Sequence, residues 1–156
     1  MANPDEAVDP DVDSRIPAQR RELSRTRGAV LLVIALGGGL GALARYGISL
    51  LLPTEPGRFP WATFGINVLG CLLIGVLMVL ITEVWTAHPL VRPFFGVGVL
   101  GGFTTFSTYA VEFSALLAPG TVLIAAAYLA GTLLCALLAV LLGVALTRWA
   151  VTREVG

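Results

Sequence analysis

The chain has 156 residues, of which 56% are hydrophobic and only 13% charged, and its formal net charge is zero. That is about one domain in length and a membrane composition. Cys71 and Cys135 stand alone inside apolar runs and the single histidine, His88, lies in a short polar loop. This argues against a cysteine metal site, a secreted disulfide framework and a histidine-based catalytic centre, and the two thiols read as small packing residues.

Residues 1–27 are rich in Asp, Arg and Pro, a composition expected of a disordered tail. Their acidic beginning lacks the basic and apolar regions of a cleavable signal peptide. Four apolar segments follow, at about 29–52, 61–81, 90–117 and 121–146, with a short tail at 148–156. Each is long enough to cross hydrocarbon as a helix, so residues 28–147 are expected to form an all-α, four-helix integral membrane domain. Short connections make the helices sequential antiparallel neighbours. Trp61, Trp85 and Trp149 fall near segment ends, where interfacial anchors belong.

All ten basic residues are arginine. With a cytoplasmic N-terminus, Arg15, Arg20, Arg21, Arg25, Arg27, Arg92, Arg148 and Arg153 lie inside and Arg58 alone outside, a strong bias toward both termini being in.

The first segment contains Gly37-Gly38-Gly39-Leu40-Gly41-Ala42-Leu43-Ala44-Arg45-Tyr46. The run superficially matches a dinucleotide-binding turn but lacks the preceding strand and the later acid. Gly37 and Gly41 instead suit a close helix–helix contact. Arg45, well inside the span, either snorkels to the nearer interface or lines a wet vestibule that draws anions, since an intramembrane charge marks function by default. In the second segment, Asn67 either bonds a neighbouring helix or lines a pore with its amide donors.

The third segment carries Gly101-Gly102-Phe103-Thr104-Thr105-Phe106-Ser107-Thr108-Tyr109. A glycine pair followed by four hydroxyls predicts a break in the helix at Gly101–Thr105. Broken helices are tolerated in a membrane only where they are packed in protein or line a cavity, and ions bind at such breaks. The hydroxyls read either as back-bonded to helix carbonyls or as path-lining donors. Phe106 and Tyr109 share a face at i, i+3; they are either ordinary packing or a pair of positive ring edges facing an anion. Glu112 continues that face. In the fourth segment, Tyr128 and Thr132 at i, i+4 hint at a polar track, with Ala136 beyond.

These motifs together resemble the small bacterial fluoride channels, the Fluc or CrcB proteins, over about residues 37–143. The resemblance rests on the Gly-Gly-x-x-Gly-Ala-x-x-Arg-Tyr run, Asn67-x-x-Gly70, the 101–109 motif and Glu112. It implies an antiparallel, dual-topology dimer of four-helix subunits in the bacterial plasma membrane. Two pores would pass fluoride out passively, and a central structural sodium would be held by main-chain carbonyls of Gly101 and Thr104. It also implies that Asn67, Phe106, Ser107, Thr108, Tyr109 and Thr132 serve the ion pathway and that Arg45 and Glu112 occupy vestibule positions. Tyr109 departs from the usual Phe, and Ala136 from a hydroxyl found in some members. The implied partners are fluoride, membrane lipid and a second subunit, with no nucleic acid and no enzymatic activity. The one-sided arginine bias suits a homologous, oppositely oriented partner. A four-helix multidrug or cation exporter is the competing reading, but it needs a first-helix carboxylate where this chain has Arg45.

Overall fold

A computed structural model describes residues 17–84 and 88–154, with side chains described for 28–84 and 88–153. Within these residues the chain is helical, with no strand. Helix α1 runs Pro17–Leu51 and α2 runs Trp61–Val79. The latter continues as wider π-helical turns over Leu80–Val84. The third segment begins with π-helical turns at Arg92–Val99, becomes α3 at Leu100–Phe103, stops, and resumes as α4 at Ser107–Ala115. Helix α5 runs Val122–Glu154.

Four spans are long and apolar enough to cross a membrane: Gly28–Leu51, Trp61–Val84, Arg92–Ala115 and Val122–Arg153. Three of them have 24 residues each, which as continuous helix is about 36 Å, more than the hydrocarbon core requires. Large apolar residues such as Leu43, Leu123 and Leu133 remain exposed along them, which suits surfaces solvated by lipid rather than water.

The expected boundaries need three corrections. Residues 1–16 of the N-terminal tail lie outside the described residues, but Pro17–Arg27 are helical. Pro17 sits at the start of the helix, where its missing N–H costs nothing, and Ala, Gln, Arg and Glu there are good helix formers. The C-terminal tail is helical to Glu154. Its polar last turns are held by Arg148, whose Nε donates to Glu83 Oε1 at 2.9 Å and whose terminal nitrogen donates to the same atom at 2.6 Å. One turn later Arg153 stacks 3.8 Å over the Trp149 ring. The third correction concerns the break. Gly101 and Gly102 are helical, and the interruption falls at Thr104–Phe106.

Packing divides the bundle in two. Helix α2 lies chiefly along α5, and α1 lies chiefly against Arg92–Phe103. At the α1 crossing the backbones touch: a Cβ added to Gly102 would fall on the Gly38 carbonyl, and one at Gly41 on the Val99 carbonyl. Gly102 thus permits close approach rather than breaking the helix. By contrast, a Cβ at Gly101 meets nothing within 4 Å, so this glycine faces away from the other helices of the chain. The buried cluster of Leu116, Ala125 and Tyr128, with Phe59, Phe64, Tyr109 and Phe113 around it, joins α2, α4 and α5 at the end where residues 53–60 and 117–121 turn.

Candidate ion pathway

The break in the third segment is built by hydrogen bonds. Helix α3 ends with Thr104 extended, at φ −74° and ψ 158°. Such a turn leaves amides and carbonyls without their helical partners, and in a membrane these must be satisfied by protein. Asn67 of α2 does this on both sides of Thr105. Its Nδ2 donates to the Thr105 carbonyl at 3.0 Å, and its Oδ1 accepts from the Thr105 amide at 2.9 Å. One amide side chain therefore pairs with a peptide group as another backbone strand would.

The consequence is specific. In an unbroken helix the Thr105 amide would bond the Gly101 carbonyl; here it is turned to Asn67. The Thr108 amide would likewise bond the Thr104 carbonyl, but it donates to Thr105 Oγ1 at 3.2 Å. Thr105 thus caps α4 three residues ahead, the usual reach of a side-chain N-cap. The break withdraws the helical donors from the carbonyls of Gly101 and Thr104, the two positions singled out from the sequence. Thr104 Oγ1 bonds back to the Leu100 carbonyl at 2.9 Å, as one reading of the hydroxyls expected.

Arg45 reaches the same region from α1, its Nε donating to the Gly102 carbonyl at 3.2 Å. The half-buried cation therefore lies over the C-terminal end of α3, where helix carbonyls favour positive charge.

On the far side of the break, α4 is held by polar ties. Glu112 accepts from Thr63 Oγ1 of α2 at 2.9 Å and from the Tyr128 hydroxyl of α5 at 2.7 Å. Tyr128 and Thr63 are buried, at 0% and 2% exposure. Glu112 therefore knots three helices together. The Tyr109 hydroxyl donates to the Leu129 carbonyl at 3.0 Å, so the group that distinguishes it from phenylalanine is spent on α5. Its ring centroid lies 6.0 Å from that of Phe106 and 4.9 Å from that of Tyr128. Phe106 itself is 79% exposed and packs little against the rest of the chain.

Between α2, the break and α5 lies a cavity of about 300 Å³ lined by Asn67, Thr104, Phe106, Tyr109, Thr132 and their neighbours Cys71 and Ala136. Thr132 is buried, and its Oγ1 has no hydrogen-bond partner among the described residues. The fold therefore brings Asn67, Phe106, Tyr109 and Thr132 of the expected pathway to one cavity. Ser107 is exposed, and Thr108 Oγ1 accepts from Thr105 Oγ1 at 3.1 Å; neither lines it. Arg45 and Glu112 lie away from it, each engaged in the contacts above. Tyr128 and Thr132 separate, the first tied to Glu112 and the second facing the cavity. Ala136 leaves the α5 wall apolar beyond Thr132.

Thr63 and the placement of Cys71 are not marked in the sequence, and Thr105, one of its four motif hydroxyls, is marked there without its partner Asn67. The Asn67–Cys71 spacing of one helical turn was the available signal for Cys71. Nothing local to Thr63 or Thr105 pointed to partners 49 and 38 residues away.

The geometry defines a multi-pass helical membrane protein whose third span is interrupted beside a small, partly polar cavity. Residues 32–144 match the model of the CrcB-like protein family, described as Camphor Resistance (CrcB), and the chain belongs to that family. It is 64% identical over 122 residues to the fluoride-specific ion channel FluC 2 of Nocardia farcinica, covering 78% of this chain and 87% of the relative. It is 58% identical over 139 residues to the fluoride-specific ion channel FluC 1 of Streptomyces coelicolor, covering 89% and 88%. The fluoride-specific ion channel FluC of Chloroflexus aurantiacus is 47% identical over 120 residues, covering 76% and 95%.

Proposed function

We propose that this chain is a fluoride-specific ion channel subunit that lets fluoride leave the cytoplasm passively across the bacterial plasma membrane. The observation that carries the reading is the Asn67-clamped break beside a cavity walled by Phe106, Tyr109 and Thr132, in a chain of the CrcB family. Fluoride holds its water strongly, so a path must offer replacement donors. The Asn67 amide has two N–H groups and uses one on Thr105. The unpartnered Thr132 hydroxyl and the positive ring edges of Phe106 and Tyr109 add to it. None is a fixed cation, so an anion is stabilised without being trapped, as conduction requires. An inside-negative potential drives an anion outward with about 2.3 kcal/mol per charge per 100 mV, which a passive channel can use directly.

The exposed Phe106 and the open face of Gly101 support a paired, antiparallel assembly in which a second subunit completes each path. The carbonyls of Gly101 and Thr104, relieved of their helical donors, fit a hard cation that prefers oxygen ligands, and a two-fold axis would bring both subunits' pairs together. Bound there, a structural sodium would supply positive charge at the dimer centre. The arginine bias favours an oppositely oriented homologous partner; both termini of this chain found at similar abundance on both membrane faces would refute that part. The exporter reading is less favoured: α1 carries Arg45 and no carboxylate, and Glu112 is already engaged by two hydroxyls.

Purified protein in liposomes loaded with fluoride, read by a fluoride electrode, tests the function. Rapid fluoride efflux with chloride retained is expected; equal release of both ions, or none, contradicts it. Depleting sodium should weaken the dimer or its flux, and indifference to sodium counts against the carbonyl site.

A further inference from the structure

We infer that the Cys71 thiol forms part of the wall of the ion path and is a site at which small water-soluble thiol reagents close it. The inference rests on reading the cavity as that path. Cys71 lies one turn beyond Asn67 on α2, on the same face, and lines the cavity with it. It is a free thiol of intermediate exposure. The second observation comes from the opposite wall. Thr132 is 6% exposed and its hydroxyl has no partner among the described residues, and it lines the same cavity. A buried hydroxyl left unmatched calls for a ligand or an ordered water, so the space that Cys71 faces is one a hydrated or partly hydrated species enters.

The other cysteine supplies a contrast within the same chain. Cys135 borders a groove lined by Val68, Leu72, Leu138 and Leu142 with no polar side chain. A charged, water-soluble reagent reaches a thiol only from a space that water also enters, since hydrocarbon excludes charge. A charged methanethiosulfonate therefore finds Cys71 and not Cys135. The Cys71 thiolate attacks the reagent's sulfenyl sulfur; a new S–S bond forms, the bond to the sulfonyl group breaks, methanesulfinate leaves with the electron pair, and the thiol proton passes to water. The adduct places a sulfonate-tipped chain in a cavity of about 300 Å³, narrowing it and repelling anions.

The test uses full-length protein in liposomes treated with 2-sulfonatoethyl methanethiosulfonate. Adduct formation is read by mass and fluoride efflux by electrode. In a Cys135→Ala background, the expected results are one adduct, on Cys71, and loss of efflux to the level of empty liposomes, with reducing agent restoring it. Cys71→Ser carries no adduct, and its own efflux does not change on treatment. Cys71 unmodified in folded protein but modified after denaturation overturns the inference. An adduct on Cys71 that leaves efflux intact overturns it equally. Failure of the functional reading shows separately, as absence of fluoride efflux before any reagent is added; labelling Cys135 as fast as Cys71 would then overturn the wet-cavity placement by itself.

Discussion

The two halves of the third segment are held in opposite ways. Arg92–Phe103 lies against α1 by backbone contact, with Gly102 on Gly38 and Gly41 on Val99. Ser107–Ala115 lies against α2 and α5 by side-chain hydrogen bonds through Glu112 and Tyr109. The first mode is a matter of shape, as expected where lipid removes any hydrophobic drive between helices. The second is a matter of partners, since buried polar groups in hydrocarbon are costly when unmatched. Asn67 is the joint between them. The difference teaches that the first half depends on the absence of side-chain volume at its glycines, whereas the second depends on matched donors and acceptors beside its buried cluster.

Substitutions sharpen this contrast, beginning with the largest expected effect. Gly102→Val drives a branched side chain into the Gly38 backbone and should cost about 3 kcal/mol, the upper range for overpacking. It is read as loss of monodisperse protein in detergent; a normal elution profile and melting temperature would break the shape account. Asn67→Leu removes both bonds to Thr105 and leaves a buried amide and carbonyl unpaired, at about 1–3 kcal/mol each. Efflux should vanish along with much of the thermal stability, and retention of both would show that the break does not depend on its clamp. Glu112→Leu strands the Thr63 and Tyr128 hydroxyls and should cost about 2 kcal/mol, against about 1 kcal/mol for Glu112→Gln, which keeps an acceptor. Equal destabilisation by the two would mean that charge, rather than hydrogen bonding, holds α4. The smallest effect is expected for Tyr109→Phe. It loses one bond to the Leu129 carbonyl, worth about 0.6 kcal/mol by the average for membrane helices. Efflux should be retained, because that hydroxyl does not face the path.

Much of this arrangement was legible from the residues. Four long apolar runs fix four spans because hydrocarbon thickness sets helix length. The glycines and hydroxyls of the third segment announced an interruption. Its start lies three residues later than expected and its end one, because glycine both loosens a helix and lets helices touch, and only the facing Gly38 shows which role Gly102 plays. The helix ends were set too short at Pro17–Arg27 and beyond Leu146, where hydropathy falls but helical structure persists. Arg148 stays in the helix through Glu83, 65 residues away, and no local pattern carries that pairing. Asn67 was read as either a helix-bonding or a path-lining residue; it bonds Thr105 and also lines the cavity. Glu112 and Tyr128 were assigned to different features, yet they are one hydrogen-bonded pair, because their meeting depends on how α4 leaves the break.

The central claim is that the space beside the break carries fluoride, and Phe106 tests it most directly. Its side chain is 79% exposed, so Phe106→Ile leaves the fold described above intact while removing the aromatic edge. Fluoride-electrode recordings from liposomes should show efflux of the variant falling to the level of empty liposomes, with an elution profile matching the parent. Efflux equal to the parent's would contradict the placement of the path.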